Sequence, residues 1–293
     1  MRANQLKLPD FRVRDTTVST GQWGGRRMTL ISSPKSARFD WHYLPEIQTP
    51  EDLAAQPMLR EGLAEILSEL DIRKAYLLCR PRDHTTIART SQFPSGIQLT
   101  DQIYLFPSKT YAGVMLDEPG EAVITATAGD PLLVAAGCNY CVVAVANLHS
   151  LIDRRLVETG HPADRHESLV YAIAHAIAQK HGGRGILRYL SLKAFYTMAG
   201  SPYEIADDDL GAISKTCLDY VQCRWGSKNL VRLHEPGARL HLGALIRSQA
   251  REIGFKPDSG YDHVLRYEDR FSLPRHPRPE LASSASLGVV QRL

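Results

Sequence analysis

The sequence has few cysteines, no long apolar run and no marked excess of one charge. No run reaches the roughly 18 apolar residues that a membrane-spanning helix needs, and residues 1–15 lack the apolar core of a signal peptide. The 5 cysteines in 293 residues are too sparse for a disulfide scaffold, which favours a reducing compartment. These absences predict a cytoplasmic protein with no membrane partner; a substrate of a secretion system that uses no cleavable signal would have the same features.

Charge is balanced along the chain. The 35 Lys and Arg residues against 32 Asp and Glu residues give a net charge of +3, and no basic block is interleaved with aromatic residues. This pattern predicts no nucleic-acid partner. With 43% hydrophobic and 23% charged residues, the composition is that of an ordinary globular protein, and the length fits one large domain.

Residues 121–153 form the longest nearly charge-free stretch. It contains three short apolar runs, Ala122 to Thr125, Pro131 to Ala136 and Cys141 to Ala146, which are rich in Val, Ile and Leu. Runs of this kind are typical of strands buried on both faces. Cys138 follows the second run and His149 closes the third, so we expect the two side chains to meet across neighbouring strands.

The rest of the chain mixes helix and strand patterns without a regular βαβ alternation. Thr49-Pro50-Glu51-Asp52 is a helix start whose Leu-rich face extends to Leu70, and His84 lies just beyond a strand predicted from Ala75 to Cys79. Further elements are predicted as strands at 11–33, 102–106, 111–116, 186–192 and, as a final edge strand, 287–290, and as helices ending at 182, spanning 210–221 and spanning 238–253. The predicted fold class is α+β, a mixed β-sheet core with helices packed on its faces.

Several short motifs follow one another in a recognisable order. They are Gln48-Thr49-Pro50-Glu51, Asp83-His84-Thr85, Glu121-Ala122-Val123-Ile124-Thr125, Ala135-Ala136-Gly137-Cys138 and the strand Val142 to His149. This order resembles the YfiH-like family, also called the laccase-domain or multicopper polyphenol oxidase family. There the corresponding motifs are Asp-x-Pro-Glu, Gln-Val-His-Gly, Asp-Ala-Leu-Val-Thr, Thr-Ala-Asp-Cys and a strand ending in His-Ala-Gly-Trp-Arg-Gly. The resemblance implies a single YfiH-like domain over residues 1–293, with an insertion around residues 85–115.

Members of that family are regarded as purine nucleoside phosphorylases and adenosine deaminases. The resemblance therefore implies a nucleoside substrate and a catalytic set of Cys138, His149 and His84. The same three residues would bind zinc and leave a fourth position for water, as catalytic zinc sites do. The substrate-binding arginines would be Arg154, Arg155 and Arg275.

The chain departs from the family at several points, and two alternatives follow. The Ala-Gly-Trp-Arg-Gly segment is absent, and Asn147 competes with His149 for the family's histidine position. The same superfamily includes cytotoxic necrotizing factor-type toxins, glutamine deamidases in which a Leu-Ser-Gly-Cys motif precedes a histidine by a short hairpin. In that interpretation Cys138 is a nucleophile, His149 is its base, and the substrate is a protein. The third hypothesis is a non-catalytic binding module that keeps the fold.

Overall fold

The computed structural model describes most of the chain in segments. These are residues 12–17, 27–32, 41–78, 85–92, 97–106, 111–127, 131–137, 139–146, 148–152, 168–196, 215–226, 230–232, 238–240, 242–257, 263–264 and 286–292. None of the helices in these segments is long and apolar enough to cross a membrane.

The described strands are numbered in chain order. They are β1 (Arg12–Thr17), β2 (Arg27–Ser32), β3 (Lys74–Leu78), β4 (Ile87–Arg89), β5 (Ile97–Gln98), β6 (Ile103–Phe106), β7 (Gly113–Leu116), β8 (Glu121–Thr127), β9 (Leu132–Gly137), β10 (Tyr140–Val145), β11 (Leu192–Tyr196), β12 (Leu230–Arg232), β13 (Ala238–Leu240), β14 (His263–Val264) and β15 (Ser286–Gln291). The three apolar runs of residues 121–153 thus form β8, β9 and β10, as the sequence predicts.

The described α-helices are numbered in the same way. They are α1 (Pro50–Ala54), α2 (Pro57–Glu69), α3 (Leu148–Leu151), α4 (Leu169–His181), α5 (Lys215–Trp225) and α6 (Leu242–Ile253). Three 3₁₀ helices span Trp41–Glu46, Thr90–Gln92 and Arg184–Tyr189.

Two mixed sheets carry most of the strands. One has the order β1-β2-β15-β8-β3-β6-β5 and the other the order β14-β11-β9-β10-β7-β4, while β12 and β13 form a separate pair. Within the first sheet β3 is parallel to both β6 and β8, and within the second β4 is parallel to β7, among otherwise mostly antiparallel pairs. The predicted α+β class with a mixed β core is confirmed, with two sheets where the sequence suggested one.

The two sheets pack face to face between two layers of helices. Residues on β10 show this arrangement directly. Val142 and Ala144 pack on the side of α4 and α6, whereas Cys141 and Val143 pack between the sheets. On β3, Ala75 contributes to a third cluster, which covers the first sheet with α1 and α2. Since successive side chains of a strand point to opposite faces, both faces of these strands are buried, which explains their unbroken apolar sequence.

The predicted helix start at Thr49 is confirmed. The Asp52 backbone N–H donates to Thr49 Oγ1 at 3.2 Å, and the Thr49 backbone N–H donates to Asp52 Oδ2 at 2.8 Å, which forms a reciprocal capping box. The single helix expected to run on to Leu70 is instead divided into α1 and α2. Pro57 begins α2, and a proline has no N–H to continue the preceding helix.

Three other sequence predictions are corrected. Residues 186–192 were expected to form a strand, but Arg184–Tyr189 is a 3₁₀ helix that follows Gly182 and Gly183. The helix expected from residue 238 begins at Leu242, because residues 238–240 pair with β12 as β13. The expected edge strand at 287–290 lies inside its sheet as β15, between β2 and β8, so its apolar residues are buried on both faces.

Candidate functional site

The structure describes little of the predicted site itself. His84, Cys138, Asn147, Arg154, Arg155 and Arg275 lie outside the described residues. Of His149 only the backbone is described, and it lies in α3 rather than at the end of a strand, because β10 ends at Val145. The catalytic, metal-binding and substrate-binding roles of these residues stay predictions, but the described residues beside them define the surroundings.

The β9–β10 hairpin separates the chain neighbours of Cys138 from those of His149. Gly137 pairs with Tyr140 at the end where residues 138–139 connect the strands, and Leu132 pairs with Val145 at the other end. Five residue steps of strand between Tyr140 and Val145 span about 17 Å. The segment that follows Val145 leads directly to α3. The register therefore gives no support to a close approach of Cys138 and His149 across the hairpin.

Three backbone hydrogen bonds join different segments at the α3 end of this hairpin. The Ala112 N–H donates to the Thr86 carbonyl at 2.8 Å, the Val145 N–H donates to the Ala112 carbonyl at 3.1 Å, and the Ala146 N–H donates to the Pro131 carbonyl at 2.8 Å. We call these five residues the histidine end. His84 precedes Thr86 by only Thr85, and α3, which carries His149, follows Ala146 after Asn147. In the sequence, each predicted histidine is thus within three residues of a residue at this end of the second sheet.

The short helix α3 packs into the apolar cluster between the second sheet and helices α4 and α6. Leu151 is fully buried in the cluster that also contains residues of α4 and α6, and Ser150 is 1% exposed. Gln249 of α6 donates from Nε2 to the Leu151 carbonyl at 2.7 Å. The helix backbone at His149 is therefore fixed by tertiary contacts from α6.

A polar cluster that the sequence analysis missed lies at the opposite end of the sheets. Glu121 begins β8 and is only 5% exposed, yet its carboxylate accepts hydrogen bonds from Tyr76 Oη at 2.7 Å and Thr90 Oγ1 at 2.9 Å. It also accepts from the backbone N–H groups of Asp117 at 3.1 Å and Glu118 at 3.0 Å. Burial, followed by this hydrogen bond to Glu121, raises the pKa of Tyr76. Tyr76 therefore acts as a donor to the carboxylate.

Asp117 extends this cluster across to the second sheet and α4. Its carboxylate accepts hydrogen bonds from Lys180 Nζ and from Ser91 Oγ, the latter at 2.7 Å, and Arg89 Nε lies 3.9 Å away. Burial alone would raise the pKa of Asp117, but the hydrogen bonds from Lys180 and Ser91 and the positive charge of Lys180 hold it below its ordinary value. We call Glu121, Asp117, Thr90, Ser91 and Lys180 the carboxylate end. A sequence signal existed, since Glu121 is an acidic residue directly before an apolar strand.

The hairpin tip near Cys138 packs against the carboxylate end. The Tyr140 ring lies 5.1 Å from the His181 ring, and Lys180 Nζ lies 5.5 Å from the Tyr140 ring centre. A Cβ atom at Gly137 would come within 2.3 Å of Tyr140 Cε1. The glycine of Ala135-Ala136-Gly137-Cys138 thus has a packing reason that is independent of catalysis.

The described part of the chain offers no ready metal centre. No three of its His, Cys, Asp and Glu residues form a group that could hold a metal ion. At the carboxylate end, the two carboxylates accept hydrogen bonds from protein donors on several elements, an arrangement that joins the two sheets and α4. These contacts give the carboxylate end a structural role.

Comparison with solved structures places the fold among known proteins. The Bacillus licheniformis hypothetical protein YfiH has a TM-score of 0.55 and 10% sequence identity, with 99% of this chain and 98% of that chain covered. YlmD from Geobacillus stearothermophilus has a TM-score of 0.54 and 14% identity, with 97% and 92% covered. A Neisseria meningitidis protein of the DUF152 family has a TM-score of 0.51 and 12% identity, with 99% and 97% covered.

No family model and no curated protein matches the sequence. At 10–14% identity the structural matches establish the fold and not the activity. They extend over nearly the whole chain, well beyond the ordered motifs of residues 48–149. The chain is thus a divergent protein of the YfiH-like fold, and the resemblance seen in its motifs is confirmed at the level of that fold.

Proposed function

We propose that this chain acts on a purine nucleoside at the histidine end, by phosphorolysis or deamination, with His84 and His149 as site residues and without Cys138. The observation that supports this proposal is the set of backbone hydrogen bonds linking Thr86, Ala112, Val145 and Ala146. These bonds connect the segment that follows His84 with the segment that precedes α3. The choice of a purine nucleoside rests on the YfiH-like motifs and fold.

The ligand set for zinc changes when Cys138 is left out. Asp130 directly precedes Pro131, whose carbonyl accepts from Ala146 at the histidine end. The segment Thr127-Ala128-Gly129-Asp130 also begins with the same two residues as the family's Thr-Ala-Asp-Cys motif. Two imidazoles and one carboxylate fit zinc, since catalytic zinc sites use this donor set. We propose that His84, His149 and Asp130 hold the ion, which when bound would supply an activated water.

The arginines have a role in phosphorolysis under the same proposal. Arg154 and Arg155 follow shortly after Ile152, which is buried beside α3. A guanidinium group binds phosphate in a bidentate manner and stays charged at any physiological pH. Arg154 or Arg155, with Arg275, would orient the attacking phosphate. A requirement for phosphate in the assay would support this role, whereas ammonia release without phosphate would indicate deamination.

A turnover and metal assay tests the proposal. Purified protein is incubated with adenosine or inosine, with and without phosphate, and the free base and ammonia are measured. His84→Ala, His149→Ala and Asp130→Ala should each lower turnover by at least about 100-fold and reduce bound zinc, as expected when a general catalyst or metal ligand is lost. Cys138→Ser is the control and should keep both. Zinc-loaded protein that turns over neither nucleoside would overturn the proposal.

The cysteine-dependent deamidase makes the opposite prediction. It needs the Cys138 thiol beside the His149 imidazole, because the imidazole must take the thiol proton. The register of β9 and β10 argues against this pairing. Loss of ammonia release from a glutamine-containing protein substrate in Cys138→Ser would favour the deamidase. If the protein bound nucleosides without turning them over, the result would favour the third hypothesis, a non-catalytic binding module.

A further inference from the structure

A buried glutamine connects three helices beside the proposed site. Gln249 lies in α6 and is fully buried. Its Nε2 donates to the Leu151 carbonyl of α3 at 2.7 Å, and its Oε1 accepts from Ser168 Oγ, next to the start of α4, at 3.1 Å. Ser168 and Leu151 are also fully buried. The amide is therefore held at both of its ends in a fixed orientation.

The helix that carries His149 depends on such contacts from outside. α3 has only 4 residues, and a helix of that length is not stable by itself. The last carbonyl groups of any helix lack partners within the helix and must find them elsewhere. Gln249 supplies the partner for Leu151. The position of α3 is thus set by contacts with α4 and α6 rather than by its own hydrogen bonds.

The chemistry of the side chain favours a role in orientation over simple packing. An apolar residue of similar size would fill the same space but would leave the Leu151 carbonyl without this donor. A buried amide with both ends bonded specifies one geometry, because a carbonyl oxygen and an NH₂ group cannot exchange roles without losing both bonds. The Ser168 hydroxyl fixes which end of the amide faces α3.

We propose that Gln249 is a positioning residue that holds α3, and with it the backbone from which the His149 side chain extends. The expected effect of Gln249 on turnover rests on the proposed function. Its effect on the position of α3 rests on the hydrogen bonds alone. A hydrogen bond made directly to a metal ligand typically affects metal affinity or activity by about 10- to 100-fold, and Gln249 acts one step further away, so we expect an effect of about 10-fold. The residue touches no reacting atom, so it acts through the backbone of α3.

The chain offers a matched control at the carboxylate end. Gln291 of β15 is 3% exposed, and its Nε2 donates to the Leu70 carbonyl at 3.0 Å. Gln249→Met and Gln291→Met each remove a buried amide that donates to a backbone carbonyl. Both should lower the free energy of unfolding, Gln291→Met by less, because the buried Oε1 of Gln291 has no hydrogen-bond partner among the described residues. Only Gln249→Met should lower nucleoside turnover, by about 10-fold, at a temperature where both variants are folded.

An NMR measurement separates this inference from the proposed function. The His149 imidazole resonance is assigned with His149→Ala in histidine-labelled protein, and its shift is recorded in both methionine variants. A shift in Gln249→Met but not in Gln291→Met is expected, whether or not the protein turns over nucleosides. An unchanged His149 signal in folded Gln249→Met would overturn the inference, while a changed signal without wild-type turnover would overturn only the proposed function. If Gln249→Met does not fold, Ser168→Ala decides in the same way, with a smaller shift expected.

Discussion

The two ends of the second sheet differ in the kind of hydrogen bond that holds them. At the carboxylate end, side chains from several strands and α4 bond to one another around Glu121 and Asp117. At the histidine end, the described bonds are between backbone groups, as between Ala146 and Pro131. Buried polar side chains that satisfy one another stabilise a fold, whereas a ligand site needs side chains available to the ligand. The comparison therefore separates a structural centre from a place where function can be sought.

At the histidine end, a buried polar side chain from the helices bonds to the backbone of α3. Gln249 and Ser168 approach α3 from the helices, so the polar groups there orient the backbone. At the other end of the hairpin, the Tyr140 ring packs on His181 beside Lys180 and so joins the hairpin tip to α4. One hairpin thus has a tip that is packed and an opposite end that leads into the candidate site.

The largest effect is expected from removing the central carboxylate of the carboxylate end. Glu121→Ala removes an acceptor from the Tyr76 and Thr90 hydroxyls and from the Asp117 and Glu118 N–H groups. The Asp117 N–H keeps its second hydrogen bond, to Thr90 Oγ1 at 3.0 Å. Since each of the two buried hydroxyls that lose this acceptor costs roughly 1–3 kcal/mol, we expect a loss of about 2–6 kcal/mol in the free energy of unfolding. Urea denaturation measures this loss.

The neighbouring exposed carboxylate provides the control for this variant. Glu118→Ala should change the free energy of unfolding by no more than about 0.5 kcal/mol, as surface substitutions usually do. A Glu121→Ala protein as stable as Glu118→Ala would show that the carboxylate end is not a structural centre. The comparison between the two ends would then lose its basis.

A smaller loss is expected at the hairpin tip. Gly137→Ala places a Cβ atom 2.3 Å from Tyr140 Cε1, which is closer than packed atoms approach. Overpacking of this kind typically costs about 1–3 kcal/mol. Gly185→Ala is the control, because a Cβ at Gly185 meets no atom within 4 Å. In a Tyr140→Leu background the glycine change should cost less than it does in the wild type, and an equal cost would mean that the ring is not the obstacle.

The ion pair between the second sheet and α4 predicts a dependence of stability on pH. The pKa of Asp117 is lower in the folded protein than its ordinary value of 3.8, so the folded state favours the ionised form. Its contribution is complete above the unfolded pKa and is lost as the pH falls below about 4 through the folded pKa. Asp117→Asn should be less stable than the wild type at pH 7, on the order of 1 kcal/mol.

Unfolding measured in urea from pH 7 to pH 3 tests this expectation. The difference between the wild type and Asp117→Asn should shrink as the carboxylate of the wild type is protonated. A difference that stays constant with pH would show that Asp117 stabilises the protein through shape rather than through charge. In that case the lowered pKa would have no part in the stability of this end.

The sequence predicts the strands well and their ends less well. Val, Ile and Leu in β8, β9 and β10 identify buried strands directly, since both faces of each strand pack against apolar neighbours. β15 was misplaced at an edge because four apolar residues at the end of a chain do not show which strands will pair on either side. Pairing partners are set by contacts distant in sequence, such as Val289 with Ile124.

The expected approach of Cys138 and His149, which stays a prediction, depends on a strand register that spacing alone does not give. Cys138 and His149 would lie at the same end of the sheet only if the turn of the hairpin came midway between them in the sequence. Here it reverses at residues 138–139, immediately after Gly137. Asn139 is a residue type that favours turns, and it was the available signal for this reversal. The contribution of Gln249 could not be foreseen, because it joins α6 to α3 across a long stretch of sequence.

The smallest loss of stability is expected from removing the exposed hydroxyl of Ser91. Ser91 donates to Asp117 Oδ2 at 2.7 Å, and this bond is one of the causes that lower the pKa of Asp117. Ser91→Ala should cost about 0.5–1 kcal/mol at pH 7, since a single exposed hydrogen bond contributes little. It should also move the acid loss of stability to slightly higher pH, because a carboxylate with one donor fewer is protonated more readily. Nucleoside turnover should not change, because the altered bond belongs to the carboxylate end. A variant that lost turnover without losing stability would show instead that the two ends are coupled.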